Sequence, residues 1–150
     1  MMIQILRTNS SNTDFHTLVN ELDKELKYRD GDDHAFYAQF NKTVTLNEVV
    51  VAYENNIPVG SGALRSYDEN TMEIKRMFVP FEHRKKGIAT NLLIELLNWS
   101  KELQYKKCIL ETGKNQPEAI ALYLKNGFTI IPNYGNYTAV YNSVCFEYIL

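Results

Sequence analysis

Arg84-Lys85-Lys86-Gly87-Ile88-Ala89 is the stretch of this chain best equipped to do chemistry. It follows the run Ile74 to Val79 and opens a segment patterned as a helix. A glycine at a helix start lets the backbone come close to a ligand. The first N–H groups of a helix have no internal partners, and the macrodipole places partial positive charge there. Such a turn is a ready anion site, and Arg84, Lys85 and Lys86 add full charges to it. The ligand this chemistry suits is a phosphate or a pyrophosphate. A solvated basic loop that caps nothing is the other reading of the same six residues.

The elements around the turn must place it. Ile3 to Arg7 reads as a first strand, and Asn12 or Thr13 can cap a helix with apolar positions Phe15, Leu18, Val19, Leu22 and Leu26. That helix should stop near Arg29-Asp30-Gly31, with a second, shorter helix over His34 to Phe40. Glu48 to Tyr53, Ile57 to Arg65 and Met72 to Val79 are strand-like and separated by the turns Glu54-Asn55-Asn56 and Asp68-Glu69-Asn70. They should form an antiparallel meander. The period then changes. Ile88, Leu92, Leu93, Leu96, Leu97 and Leu103 mark one face of a long helix from about Gly87 to Leu103. Cys108 to Thr112 is a fifth strand, Pro117 starts a helix that Asn126-Gly127 ends, and Phe128 to Ile131 and Ser143 to Ile149 are the last strands. A strand, a long helix and a strand make a β-α-β unit, so strands four and five should run parallel. The expected fold is α/β: a mixed, mostly antiparallel sheet of about seven strands with helices on both faces.

Composition narrows the partners. At 150 residues the chain suits one domain with a real core. A formal charge of −2 argues against general nucleic-acid binding, which needs a broad basic surface. No run approaches the ~20 apolar residues of a membrane span, and the first seven residues are too short an apolar stretch for a signal peptide. Cys108 and Cys145 lie in apolar strand-like runs and read as reduced core thiols, a disulfide staying open. His16, His34 and His83 lack ligand spacing, so no metal site is expected. These features together suit a cytoplasmic protein.

The order of elements, with a basic turn opening the central helix, resembles the GNAT superfamily of N-acetyltransferases. That family's pattern for the turn is Q/R-x-x-G-x-G/A, met here by Arg84, Gly87 and Ala89. A second block, Ala119 to Phe128, is similar to the family's A-x-x-L-Y-x-K-x-G-F segment, and a third, Glu73 to Val79, matches the strand before the turn. The resemblance runs from about Val49 to the end of the chain.

What it implies is transfer of an acetyl group from acetyl-CoA to a primary amine, directly within a ternary complex. Strands four and five would splay apart, with the pantetheine arm in the cleft beside the backbone of Met77, Phe78 and Val79. The coenzyme's pyrophosphate would meet Arg84, Lys85, Lys86, Gly87, Ile88, Ala89 and the Thr90 hydroxyl, and Asn115 stands where the family places a coenzyme contact, with a loop or helix-start residue ahead of Pro117 as its competing reading. Tyr123 is the implied acid that reprotonates the leaving thiolate, with a core tyrosine as the competing reading. Glu73 is the implied base, with a solvent-facing strand residue as its alternative. Neither cysteine has a histidine near it in sequence, which argues against an acyl-enzyme.

The family walls its acceptor pocket with the first helices and the loop before the last strand. Here these carry Tyr28, Arg29, Asp32 and Tyr134 among acidic and aromatic neighbours, which suit a cationic amine by charge and by cation–π contact. Arg29 can instead hold a carboxylate, so a small amino-acid-like or polyamine-like acceptor fits both. A solvated Asp-rich turn is the plainer reading. Pairing of two copies through the last strands is a family habit open to this chain. The alternatives are a non-catalytic acyl-CoA sensor, which has no need of Tyr123 and Glu73, and a protein or peptide acetyltransferase. A P-loop nucleotide site is excluded because G-x-x-x-x-G-K-[ST] is absent.

Overall fold

The structure, a computed structural model, describes residues 2–31 and 45–150. The short helix expected over His34 to Phe40 lies outside the described residues. Strand β1 spans Ile3–Thr8. Helix α1, Thr13–Asp30, starts at Asn12, whose side chain accepts the Phe15 N–H at 2.9 Å. It ends at Gly31, which takes φ 55° and returns its N–H to the Lys27 carbonyl. Strands β2 (Glu48–Glu54), β3 (Ile57–Ser66) and β4 (Thr71–Phe78) form the meander. Asn55 and Asn56, at φ 52° and 66°, make the tight β2–β3 turn, a left-handed pair that asparagine tolerates. Helix α2 is Ile88–Glu102, β5 is Lys107–Gly113, and α3 is Pro117–Lys125 with the proline in its first turn. Strands β6 (Thr129–Ile131) and β7 (Ser143–Ile149) close the chain.

These make one sheet of seven strands in the order β1-β2-β3-β4-β5-β7-β6. Every pairing is antiparallel except β4 with β5, which is parallel as the β-α-β unit requires. Strand β7 is inserted between β5 and β6, an order that sequence spacing did not foretell.

Alternation along the strands divides the core into two layers. On one face Leu64, Met72, Ile74, Cys108, Leu110 and Phe146 pack under α2 and α3. On the other, Val49, Val51, Ala63 and Phe78 pack under Phe15, Leu18, Val19 and Leu22 of α1. Helix α2 sits very close to the sheet because β3 carries Gly60 and Gly62. A Cβ at Gly62 would lie 2.7 Å from Leu96 Cδ1 and 2.8 Å from Met77 Sδ. At the sheet's near edge, Arg7 of β1 reaches Glu95 at 2.6 Å and Glu102 at 2.7 Å, tying that edge to α2.

Two irregularities in β4 position the site. Pairing with β5 covers only Thr71↔Lys107, Met72↔Cys108 and Glu73↔Ile109, and beyond that rung the two strands part. On the other side of β4, the register against β3 shifts between Ser61 and Ala63, where Arg76 takes φ 59°. A bulge of this kind re-aims the strand that carries it. The splay expected between strands four and five is therefore present.

Candidate active site

The basic turn is built from backbone conformations that only some residues adopt. After β4, Pro80 leads into a short 3-10 turn, Phe81–His83, and the Arg84 N–H closes on the Phe81 carbonyl at 3.2 Å. Lys85 and Gly87 both lie in the left-handed region, at φ 65° and 81°. The bond from Asn91 N–H to the Gly87 carbonyl, 3.1 Å, opens α2. The amides of Ile88, Ala89 and Thr90 therefore precede the helix's internal bonding and point out of its end. Lys85, Lys86 and Gly87 are exposed, so main-chain N–H groups open to solvent beside two lysines, of which Lys86 pairs with Glu54 at 3.6 Å.

The Arg84 side chain is placed differently from the sequence expectation. Its Nε donates to the Val79 carbonyl at 2.8 Å, and its Nη2 reaches both oxygens of Glu25 at 2.7 and 2.9 Å. The guanidinium also sits over the rings of Phe78 and Phe81. It ties the turn to α1, and the exposed charge at the mouth comes from Lys85 and Lys86.

The space between the parted strands is an open cleft with a volume of about 100 Å³. Met77, Leu110, Thr112, Gly113, Ala119 and Tyr123 line it, together with the charged residues Asp30, Glu73, Lys75, Arg76 and Glu111. Phe78 and Val79 are buried beside it, at 7% exposure each, one in each core layer. Tyr123 comes from α3, packs on Phe128 and Phe146, and is 6% exposed. Burial, with the Glu111 charge adding to it, pushes its phenol well above the ordinary tyrosine range. No hydrogen bond to its hydroxyl occurs among the described residues.

Glu73 is buried on the last paired rung of β4, where its Oε2 accepts the Tyr134 hydroxyl at 2.6 Å. Burial first, then the Glu73 charge, pushes the Tyr134 phenol strongly up. Sequence reasoning missed Glu111 and Lys75. Glu111 stands two residues past Ile109 on β5, and Ser143 Oγ donates to its Oε2 at 2.7 Å. Burial pushes the Glu111 carboxyl up to about 7, Asp30 and Glu73 adding to the rise and Ser143 and Lys75 opposing it. Burial pulls the Lys75 ammonium below its ordinary value, which the Glu73 and Glu111 charges partly restore. A signal for both was available in the sequence. Residues 73 and 75 share one face of β4 by strand alternation, and 111 shares a face with 109 on β5.

The other expected residues divide. Tyr134 joins the site. Tyr28 is 89% exposed on α1 and does not line the cleft. Arg29 pairs with Glu118 and with Glu25, its Nη1 donates to the Asn115 carbonyl at 3.4 Å, and Asn115 Nδ2 donates to the Arg29 carbonyl at 3.3 Å. Arg29 and Asn115 thus clasp α1 to the loop before α3 rather than facing the cleft. Thr90 is half-buried in the first turn of α2. Asp32 lies outside the described residues.

A coenzyme A thioester fits what is present: open amides with a left-handed glycine at one mouth, a slot between unpaired strand edges, and apolar walls at Met77 and Leu110. Among the described residues, no group of three or more His, Cys, Asp or Glu side chains can hold a metal ion, and no helix is long and apolar enough to cross a membrane.

Known proteins share this fold and part of this sequence. Human N-acetyltransferase 8 is 37% identical over 81 residues, covering 54% of this chain and 34% of that protein. An uncharacterized N-acetyltransferase of Bacillus subtilis strain 168, YsnE, is 32% identical over 95 residues, covering 62% of this chain and 63% of that one. The match thus spans less than two thirds of these curated relatives. Among solved structures, one from Klebsiella pneumoniae superposes with a TM-score of 0.83 at 24% identity, covering 99% of this chain and 98% of that one. A GNAT family acetyltransferase from Elizabethkingia anophelis with acetyl-CoA bound gives 0.71 at 22% identity, covering 99% and 98%. The acetyltransferase (GNAT) family profile matches residues 14–128, most of the chain, and with the splayed β4–β5 pair and the Gly87 turn it places this protein in that family.

Proposed function

We propose that this protein transfers an acetyl group from acetyl-CoA to a primary amine, by direct attack of the amine within a ternary complex. The observation that carries the reading is the loss of β4–β5 pairing beyond Glu73↔Ile109, with open amides at one end of the slot and carboxylates on its wall. The solved relatives from Elizabethkingia anophelis, with acetyl-CoA, and Thermoplasma acidophilum, with coenzyme A, support it.

The thioester supplies the activated acyl group; the residues of the chain hold it and move protons. Main-chain amides from Lys85 to Thr90, with the Lys85 and Lys86 ammonium groups, bind the pyrophosphate. The exposed edge of β4 at Met77 to Val79 pairs with the amides of the pantetheine arm as it would with a peptide. A backbone N–H near Phe78 faces the carbonyl oxygen as negative charge develops on it. Carboxylate in the cleft draws in the ammonium form of the acceptor; once that form has lost one proton to solvent the neutral amine attacks, and the carboxylate takes the second N–H proton as the C–N bond forms. The C–S bond breaks, and the Tyr123 hydroxyl donates to the departing thiolate. Its phenol stays protonated throughout the neutral range because it is buried.

The acceptor is a small cationic amine. Asp30, Glu73 and Glu111 line the cleft against Lys75, while Arg76 is paired with Asp23 at 2.9 Å and Arg29 with Glu118. The deciding experiment measures free thiol released from acetyl-CoA across a panel of amino acids, polyamines and peptides, beside titration calorimetry with acetyl-CoA. Turnover with an amine supports the proposal. Tight binding without turnover on any amine returns the sensor reading, and no binding removes both.

A further inference from the structure

Three carboxylates line the cleft, and the two carried by its parted strands, Glu73 and Glu111, are not equivalent. Glu73 stands on the last rung where β4 and β5 are still paired, at the closed apex of the V, and is 6% exposed. The Tyr134 hydroxyl caps one of its oxygens at 2.6 Å. Tyr134 is itself held edge-on by Tyr67 and Tyr137, at ring separations of 5.3 and 5.9 Å. A substrate nitrogen approaching that oxygen of Glu73 would have to displace the Tyr134 hydroxyl.

Glu111 lies one same-face step further along β5, past the point of parting. It is only partly buried, and Ser143 holds one of its oxygens at 2.7 Å. It is also the carboxylate whose charge is felt at Tyr123, on the α3 side of the slot. An acyl carbon lying between the strands would have Glu111 on one side and Tyr123 on the other.

We propose that Glu111, rather than Glu73, takes the proton of the attacking amine, and that Glu73 is a positioning residue that holds Tyr134 across the closed end of the cleft. This rests on the acetyl-transfer reading above. As the C–N bond forms, the nitrogen becomes acidic and its proton passes to the Glu111 carboxylate. The C–S electron pair leaves with sulfur, which takes the Tyr123 proton. The groups facing Glu111 are Lys75 and Glu73 from β4, Asp30 from α1, Ser143 and Cys145 from β7, and Tyr123 from α3. Together they leave its carboxyl titrating at about 7, which suits a base that must both gain and lose a proton near neutrality.

The test compares wild type, Glu111→Gln, Glu73→Gln, Tyr134→Phe and the Glu73→Gln/Tyr134→Phe double variant, in pH profiles of kcat and kcat/KM. Circular dichroism and acetyl-CoA affinity verify that each variant is folded. Glu111→Gln should lower kcat by roughly 10²–10⁴-fold and remove the rising limb near pH 7. Glu73→Gln and Tyr134→Phe should keep that limb and act mainly on KM, and the double variant should be no worse than the poorer single, since the two share one contact. A rising limb that survives in Glu111→Gln and disappears in Glu73→Gln overturns this assignment alone. Wild type that acetylates no amine of the panel overturns the acetyl-transfer reading, and this inference falls with it.

Discussion

Replacing Glu111 with glutamine should make the protein more stable at alkaline pH while disabling it. The folded chain raises this carboxyl from an ordinary 4.5 to about 7, chiefly by burial. Between those two values the folded state holds a proton that the unfolded state has released, so stability falls as pH rises. The loss is complete above the folded value. At about 1.4 kcal/mol per pH unit, ionised Glu111 costs the fold about 3 kcal/mol there. Glutamine keeps the shape and can still accept from the Ser143 hydroxyl, but it does not titrate. The two proteins should therefore match closely near pH 4.5 and separate progressively to about 3 kcal/mol by pH 8.5. That gap corresponds to roughly 6–12 °C in Tm for a domain of this size. Urea denaturation of both proteins at matched pH values reads the difference directly, and the titrating groups that do not interact with Glu111 cancel in the subtraction. A stability difference that stays constant from pH 4.5 to 8.5 would refute the claim that the fold holds Glu111 in an unfavourable, desolvated setting. A stabilised yet inactive variant is the expected signature of a group placed for function rather than for folding.

Tyr123→Phe should leave the fold intact, because the hydroxyl makes no hydrogen bond among the described residues, and should lower kcat by about 10²-fold or more in an assay where chemistry limits the rate. Gly62→Val should destabilise by about 1–3 kcal/mol in denaturant titration, since its Cβ would press on Leu96 and Met77 between α2 and β3. Gly87→Val meets no steric obstacle, yet it must hold φ 81°. It should weaken acetyl-CoA binding in calorimetry through a backbone cost of about 1–2 kcal/mol. Asn12→Ala removes the side-chain acceptor for the Phe15 N–H and should cost about 1 kcal/mol by thermal melting.

By itself the sequence determined what local chemistry can encode. The apolar spacing of Phe15, Leu18, Val19 and Leu22 defined α1, and the Leu92-Leu93-Leu96-Leu97 face defined α2. Asparagine pairs and glycines marked the turns, and three motif blocks placed the cleft between β4 and β5. The Gly87 turn was legible because a helix start and its preceding loop are written in consecutive residues. Tertiary structure alone decided which side chains meet. Tyr134 reaches Glu73 across 61 positions and Arg84 reaches Glu25 across 59. No short-range pattern records contacts of that separation. The insertion of β7 between β5 and β6 sets Ser143 against Glu111, and the desolvation of Glu111 depends on everything packed around it. A carboxylate's proton affinity belongs to its surroundings, so the residue type was readable from the chain but its place in the chemistry was not.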